Sequence, residues 1–586
     1  MIENTKHNFK YPVLVAVLFI VFMAHLLLWQ SKNKNYFNYD SFRHYFKSVQ
    51  IFEELSQRRE HVFSGIKKII DRHPPGVYLT TALFHFFLAP TQNNAVLINT
   101  ALYVSILLFS LYKLGVVLWD RRTGLLSCAI VILYPAVFNQ AKIYMLDLPL
   151  LSLVTLNIYL LIRSSYFQSL KYSGLFVFSL LAGLCIKLNF LFFVIGPLLY
   201  AFFVAMRRQR TKASLLLFVV IALIGFIVFY NISISPPSHI LEPSYSYELK
   251  DSSAVSLGRQ SQVRNILDRI VRDLHKLKSS DPIVTSTSPH LRNVPFIIHR
   301  IRALLWYIWG FINWQGSFIA FIVFVGGLCV FLKSKQTHKT IIITWLVSSY
   351  FILSWFLYAI DVDMEVTGVR YSMPLLACVG LLSAYGLLCI KRKGLKIACI
   401  CVVLFLALIH AACSSYPFCK NHASLRINIA QDKFHIVPAY LNLFSTEPLV
   451  ISGSSWTSMY SDQSKVHKEI EDIFFFINGF YEHKQIKTLL LADNAQWWHL
   501  QYLAYKHNKD LVFFCDYRGL ISKTPLSSQG VHYYIDEADF AIEIKDAFTE
   551  NYLLEFNEQL KDAFRKEKAF GLIKEDEFCR IFKREL

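Results

Sequence analysis

Long apolar runs separated by short basic stretches dominate residues 1–413. The runs cover 11–29, 95–118, 123–139, 147–163, 173–188, 190–206, 213–232, 313–333, 340–359, 371–390 and 396–413. About 20 apolar residues in a helix span the hydrocarbon core, so the pattern predicts about eleven transmembrane helices. The run 77–89 is too short: as a helix it reaches only ~20 Å. It is predicted to be a partial helix at the membrane surface. Beyond 413 the pattern changes. "IKTLLLADN", "DLVFFCDY" and "ADFAIEI" read as strands and "AQWWHLQYLAYKHN" as a helix, which predicts a separate α/β domain over 414–586. Residues 550–586 read as helical and charged.

Charge orients the runs. "WDRRTG" (119–124), "RSSYFQSLK" (163–171), "RRQRTK" (207–212), "KSKQTHK" (333–339) and "KRKGLK" (391–396) are basic connections, and basic connections stay in the cytoplasm. The N-terminus, with Lys6 and Lys10, belongs with them; the first run lacks a small-residue cleavage site and reads as an uncleaved anchor. The connections 30–76, 140–146, 188–190, 233–300 and 360–370, and everything after 413, then face outward. A full crossing by 77–89 would move every later basic loop to the wrong side.

The external loops have patterns of their own. From Phe42, apolar residues recur with helical spacing through Phe52, with Asp40 just ahead. In "QVRNILDRIVRDLHKLK", residues 263–277 form an apolar stripe opposite a charged face, which predicts a helix lying in the membrane interface.

Composition agrees with this plan. Of 586 residues, 54% are hydrophobic and only 17% charged, against about 25% charged in soluble domains. The net charge of +19 is accounted for by basic cytoplasmic loops. No basic stripe interleaved with aromatics points to nucleic acid. The eleven cysteines form no C-x-x-C pair. Cys413, Cys419, Cys515 and Cys579 fall in the polar part, where a disulfide is compatible with an external location.

Polar residues collect at the predicted outer ends of the spans: Asp40 and His44 in the first external loop, His73 before Pro74 and Pro75, Asp147, Lys187, Arg370 and Tyr371. Charges at membrane depth are costly and mark functional sites. Each also has a plain structural reading. Asp40 and Asp147 suit helix N-caps, Lys187 and Arg370 suit snorkelling side chains, and His73 suits a Pro-Pro turn. The acidic triplet Asp361, Asp363 and Glu365 lacks calcium-loop spacing and reads as a solvated loop.

The ordered set "NYDSFRHYF", "HPPGVYLTTALF", "WDRRTGLLSCAIVILYP", "YMLDLPLLSLVTLNIYLLIRSS", "LLAGLCIKLNFLFFVIGPLL" and "VRYSMPLLACVGLLSAYGL" resembles the GT-C membrane glycosyltransferases. The branch is that of protein O-mannosyltransferases and the lipid A aminoarabinose transferase, glycosyltransferase family 39 type. The likeness covers most of 1–413. It departs where many relatives carry Asp-Glu in the first loop and this chain has Asp40–Ser41. It departs again where the aminoarabinose transferases have Lys before two prolines and this chain has His73.

The resemblance implies a polytopic α-helical transferase domain over 1–413 and a periplasmic or luminal α/β domain over 414–586. It implies transfer of a sugar from a polyprenyl-phosphate donor to an extracytoplasmic glycolipid, polysaccharide or protein, with inversion. Asp40 is then the general base; Lys187 and Arg370 bind the leaving phosphate; His73, His44, Asp147 and Tyr371 line the substrate site. The expected home is a bacterial inner membrane, ahead of the ER membrane, and the terminal "KREL" reads as chance. No cofactor is implied with certainty, and a divalent metal at the His73 corner stays open. The rival class is a lipid or sugar transporter or flippase without transferase activity; the sequence shows no internal repeat of the kind common in transporters.

Overall fold

In a computed structural model the described residues are 9–32, 39–57, 62–69, 73–207, scattered positions at 222–225 and 304–310, 311–357, 367–413, and short C-terminal segments within 426–584. The first part is helical: α1 (Lys10–Lys32), α2 (Tyr39–Ser56), α3 (Val62–Ile69), α4 (Gly76–Phe84), α5 (Gln92–Leu118), α6 (Arg121–Ile132), α7 (Pro135–Gln140), α8 (Asp147–Arg163), α9 (Leu170–Leu184) and α10 (Phe190–Arg207). After residue 310 come a π-turn over Phe311–Gln315, α11 (Phe318–Lys333), α12 (Lys339–Ile352), a 3-10 segment (Thr367–Leu375), α13 (Leu376–Leu388) and α14 (Lys393–Cys413).

Four stretches among the described residues are long and apolar enough to cross a membrane: Lys10–Ser31, Gln92–Leu118, Phe190–Arg207 and Tyr371–Leu388. Shorter apolar helices pack among them, and the chain is an integral membrane protein. The run 123–139 is not one helix. Pro135, at the first position of α7, has no amide hydrogen to continue the ladder of α6, and the chain turns at Tyr134. The run 313–333 is likewise divided: Ser317 caps α11 by accepting from the Ala320 amide, leaving a π-turn ahead of it. The run 371–390 opens as a 3-10 segment containing Pro374 before α13 begins.

Close packing holds the bundle. A Cβ on Gly327 of α11 would lie 2.1 Å from the Leu382 carbonyl oxygen of α13, so only glycine allows this approach. At one end, Trp119 stacks on Tyr385 at 4.6 Å and meets Phe331 edge-on at 5.7 Å. Tyr166 lies 6.3 Å from His338. These rings draw the basic connections after α5, α8, α11 and α13 to a common end.

In the C-terminal part, β1 (Arg426–Asn428) pairs antiparallel with β2 (Tyr440–Asn442). A mixed sheet has the order β4 (Leu511–Phe514), β3 (Ile486–Leu491), β5 (Phe540–Ile544), β7 (Cys579–Arg584), β6 (Phe570–Glu575). β4, β3 and β5 run parallel and fall on the three predicted strands. The helical reading of 550–586 is corrected at its end. "FGLIKE" and "CRIFKR" form an antiparallel hairpin, and Cys579 and Ile581 are buried every second residue, which is strand rather than helix periodicity. The predicted interfacial helix 263–277, the helix in "AQWWHLQYLAYKHN" and the triplet Asp361, Asp363 and Glu365 lie outside the described residues.

Candidate functional site

At the end of the bundle opposite the basic connections, one buried segment joins several elements. Residues 141–146 link α7 to α8 and are sunk below solvent. From α5, the Thr100 hydroxyl donates to the Ala141 carbonyl at 2.7 Å and the Asn99 amide donates to the Met145 carbonyl at 3.2 Å. From the other side, the Tyr144 amide donates to Ser41 Oγ of α2 at 3.0 Å. The Tyr144 hydroxyl donates to Thr81 Oγ1 of α4 at 2.8 Å. The first three of these bonds satisfy backbone groups that would otherwise be buried unpaired.

This segment delivers Asp147. Leu146 occupies the N-cap position of α8, so Asp147 is not a cap; it stands in the first turn. Its Oδ1 accepts from Lys187 Nζ at 2.8 Å, and both side chains are buried. Lys187 therefore does not snorkel. Its ammonium also lies 4.9 Å from the centre of the Tyr371 ring, a cation–π contact strengthened by exclusion of water. Asp147 Oδ2 is buried with no hydrogen-bond partner among the described residues. Buried carboxylate oxygens are rarely left so, and this one is suited to accept from a hydroxyl.

The Pro-Pro corner stands beside the pair. The Gly76 amide donates to the Cys185 carbonyl at 2.7 Å, two residues before Lys187. A Cβ at Gly76 would meet that oxygen at 2.6 Å, so the docking requires glycine. Pro74 and Pro75 fix the backbone leading in, and His73 is left half-buried above it. The His73 ring lies edge-on to His44 at 5.2 Å. His44 is buried on α2, its Nδ1 2.7 Å from the Tyr78 hydroxyl.

Two predicted residues are placed by backbone alone. Asp40 is the second residue of α2, inside the helix rather than ahead of it, and next to Ser41, which binds the Tyr144 amide. Arg370 lies in the 3-10 segment directly before Tyr371; this segment packs on α8. Ser372, two residues after Arg370, donates to Gln315 Oε1 at 3.1 Å. The structure thus joins Asp147, Lys187 and Tyr371 in one contact group and His44 and His73 in another, with Gly76–Cys185 as the link.

Tyr78, Tyr144 and Lys142 were not singled out by sequence. Lys142 is buried, donates to Asn139 Oδ1 at 3.1 Å and lies 4.8 Å from the Phe138 ring. Burial pushes its pKa well below the usual lysine range. The signal available for it was a lone lysine in the connection 140–146. Among the described residues, no group of three or more His, Cys, Asp or Glu is placed to hold a metal.

Residues 72–232 match a family model described as dolichyl-phosphate-mannose-protein mannosyltransferase, a span that starts at the Pro-Pro corner and contains Asp147 and Lys187. Among solved structures, ArnT from Cupriavidus metallidurans bound to undecaprenyl phosphate aligns over 98% of each chain with a TM-score of 0.57 and 11% identity. Its apo form aligns over 97% of each with a TM-score of 0.55 and 11% identity. The chain has the GT-C fold. No curated protein matches it significantly.

Proposed function

We propose that this protein is a glycosyltransferase that moves a sugar from a polyprenyl-phosphate carrier to an acceptor on the extracytoplasmic side of the membrane. The observation that carries the reading is the buried Asp147–Lys187 pair under Tyr371, locked beside the His73 corner within a GT-C fold. The ArnT relative is bound to undecaprenyl phosphate, which supports a lipid-phosphate donor here.

In the reaction, an acceptor hydroxyl attacks the anomeric carbon, the bond from that carbon to the phosphate oxygen breaks, and the lipid phosphate leaves. Asp40 takes the hydroxyl proton. A carboxylate is a weak base, so the proton moves late, as the anomeric bond opens. The leaving phosphate gains charge and needs fixed cations. Arg370 offers a fork of donors, and Lys187, held by Asp147, offers a pre-positioned ammonium. Such a donor contributes about 3 kcal/mol to barrier lowering. Asp147 Oδ2 accepts from a sugar or acceptor hydroxyl. His73 and His44 position the phosphate or the acceptor, and displacement in one step inverts the anomeric centre.

In this proposal the basic connections face the cytoplasm, an orientation the charge bias supports, and the site faces the periplasm of a bacterial inner membrane. The acceptor is a glycolipid, a surface polysaccharide or a protein. The test is a membrane assay with a panel of polyprenyl-phosphate sugars, reading which donor is consumed and what becomes labelled. Consumption of a donor with labelling of an extracytoplasmic product is the expected result. Failure of every donor, with nucleotide sugars consumed instead, would overturn the reading.

A further inference from the structure

Beyond the site, α4 ends in an exposed apolar knuckle. Five of the six residues Leu83–Leu88 expose large apolar side chains: Leu83, Phe84, Phe86, Phe87 and Leu88, with Phe87 at 85%. Only His85 turns inward. The knuckle is a built feature. Phe52 of α2 packs edge-on against Phe86 at 5.2 Å, and the Tyr45 hydroxyl donates to the Pro90 carbonyl at 2.8 Å.

Its level is fixed by neighbours. Gln30, near the end of α1, donates to the Asn93 carbonyl at the start of α5, so the two spans end together. Leu27 and Leu28 of α1 are exposed apolar residues just short of that point. Pro90 lies three positions before Asn93. The knuckle therefore continues the apolar outer surface of the spans where their polar ends begin. With nine residues, α4 reaches only ~14 Å, so it cannot cross.

We propose that Leu83–Leu88 inserts into the acyl-chain side of the bilayer interface and ties the depth of the His73 corner to the membrane through the short, rigid α4. The partner is bilayer lipid. Contiguous exposed apolar surface of this kind marks a membrane or partner contact; its continuity with the lipid-facing ends of the spans selects the membrane.

The test places a photoreactive benzoylphenylalanine at Phe87 of the full chain in phosphatidylethanolamine–phosphatidylglycerol nanodiscs, with Lys335, exposed in a basic connection, as control. Adducts are read by mass spectrometry. The expected result is lipid-acyl adducts at position 87, at least tenfold above position 335. Adducts of position 87 to another segment of this chain or to a second copy, or lipid labelling no greater than at 335, would overturn the proposal. The readout does not depend on sugar transfer.

Discussion

Asp147 and Lys187 constrain each other. Burying two charges is costly, and removing one partner strands the other in a low-dielectric site, typically at 3–5 kcal/mol. Asp147→Ala and Lys187→Met should each lower the thermal unfolding midpoint of the detergent-solubilised protein. The double variant should lose less than the sum, with a coupling of at least about 1 kcal/mol. Additive losses would show that the 2.8 Å contact contributes little. In transfer, Lys187→Ala should also weaken apparent donor affinity; an unchanged affinity would remove its phosphate role. Sequence showed each residue as a lone charge in an apolar setting. It did not show the pairing, because the partners are 40 positions apart and meet only when α8 and α9 pack. His44 and His73 were visible as polar residues of the first loop. Their edge-on contact depends on how α2 meets α4.

At the scale of elements, α4 and the 141–146 segment act as a brace. Gly76→Ala should push a methyl into the Cys185 carbonyl and shift the corner, since overpacking costs roughly 1–3 kcal/mol. We expect a lower melting temperature and reduced turnover; wild-type values for both would refute the tight docking. Tyr144→Phe removes the hydroxyl bond to Thr81 and should cost about 1 kcal/mol, read as a small fall in melting temperature with protein yield retained. The prolines and the HPPG corner were legible because proline and glycine restrict backbone geometry locally. Hydropathy does not reveal the breaks at Pro135 and Ser317, because it counts apolar residues and ignores the hydrogen-bond ladder. The β6–β7 hairpin reads as helix in the sequence because its charges come in adjacent pairs, Lys574–Glu575 and Lys583–Arg584, that mask the alternation, and a two-residue period is hard to separate from helix in a short segment.

For the whole molecule, the basic connections cluster at one end through Trp119, Tyr385, Phe331, Tyr166 and His338, while the candidate residues gather at the other. A cysteine at Lys335, in a background stripped of reactive native thiols, should be labelled by an impermeant maleimide only from the cytoplasmic side. Labelling from outside intact cells would invert the proposed orientation. The overall plan was readable because bilayer thickness and charge bias act on long stretches of sequence. Donor chemistry was not, because it is set by a few side chains brought together from α2, α8, the turn between α9 and α10, and the 3-10 segment.

The most direct measurement is sugar transfer from a polyprenyl-phosphate donor by purified protein in proteoliposomes, comparing wild type with Asp40→Asn. The account predicts turnover by the wild type and near-total loss in the variant, with its folding and membrane insertion unchanged. Wild-type-like turnover by Asp40→Asn would contradict it.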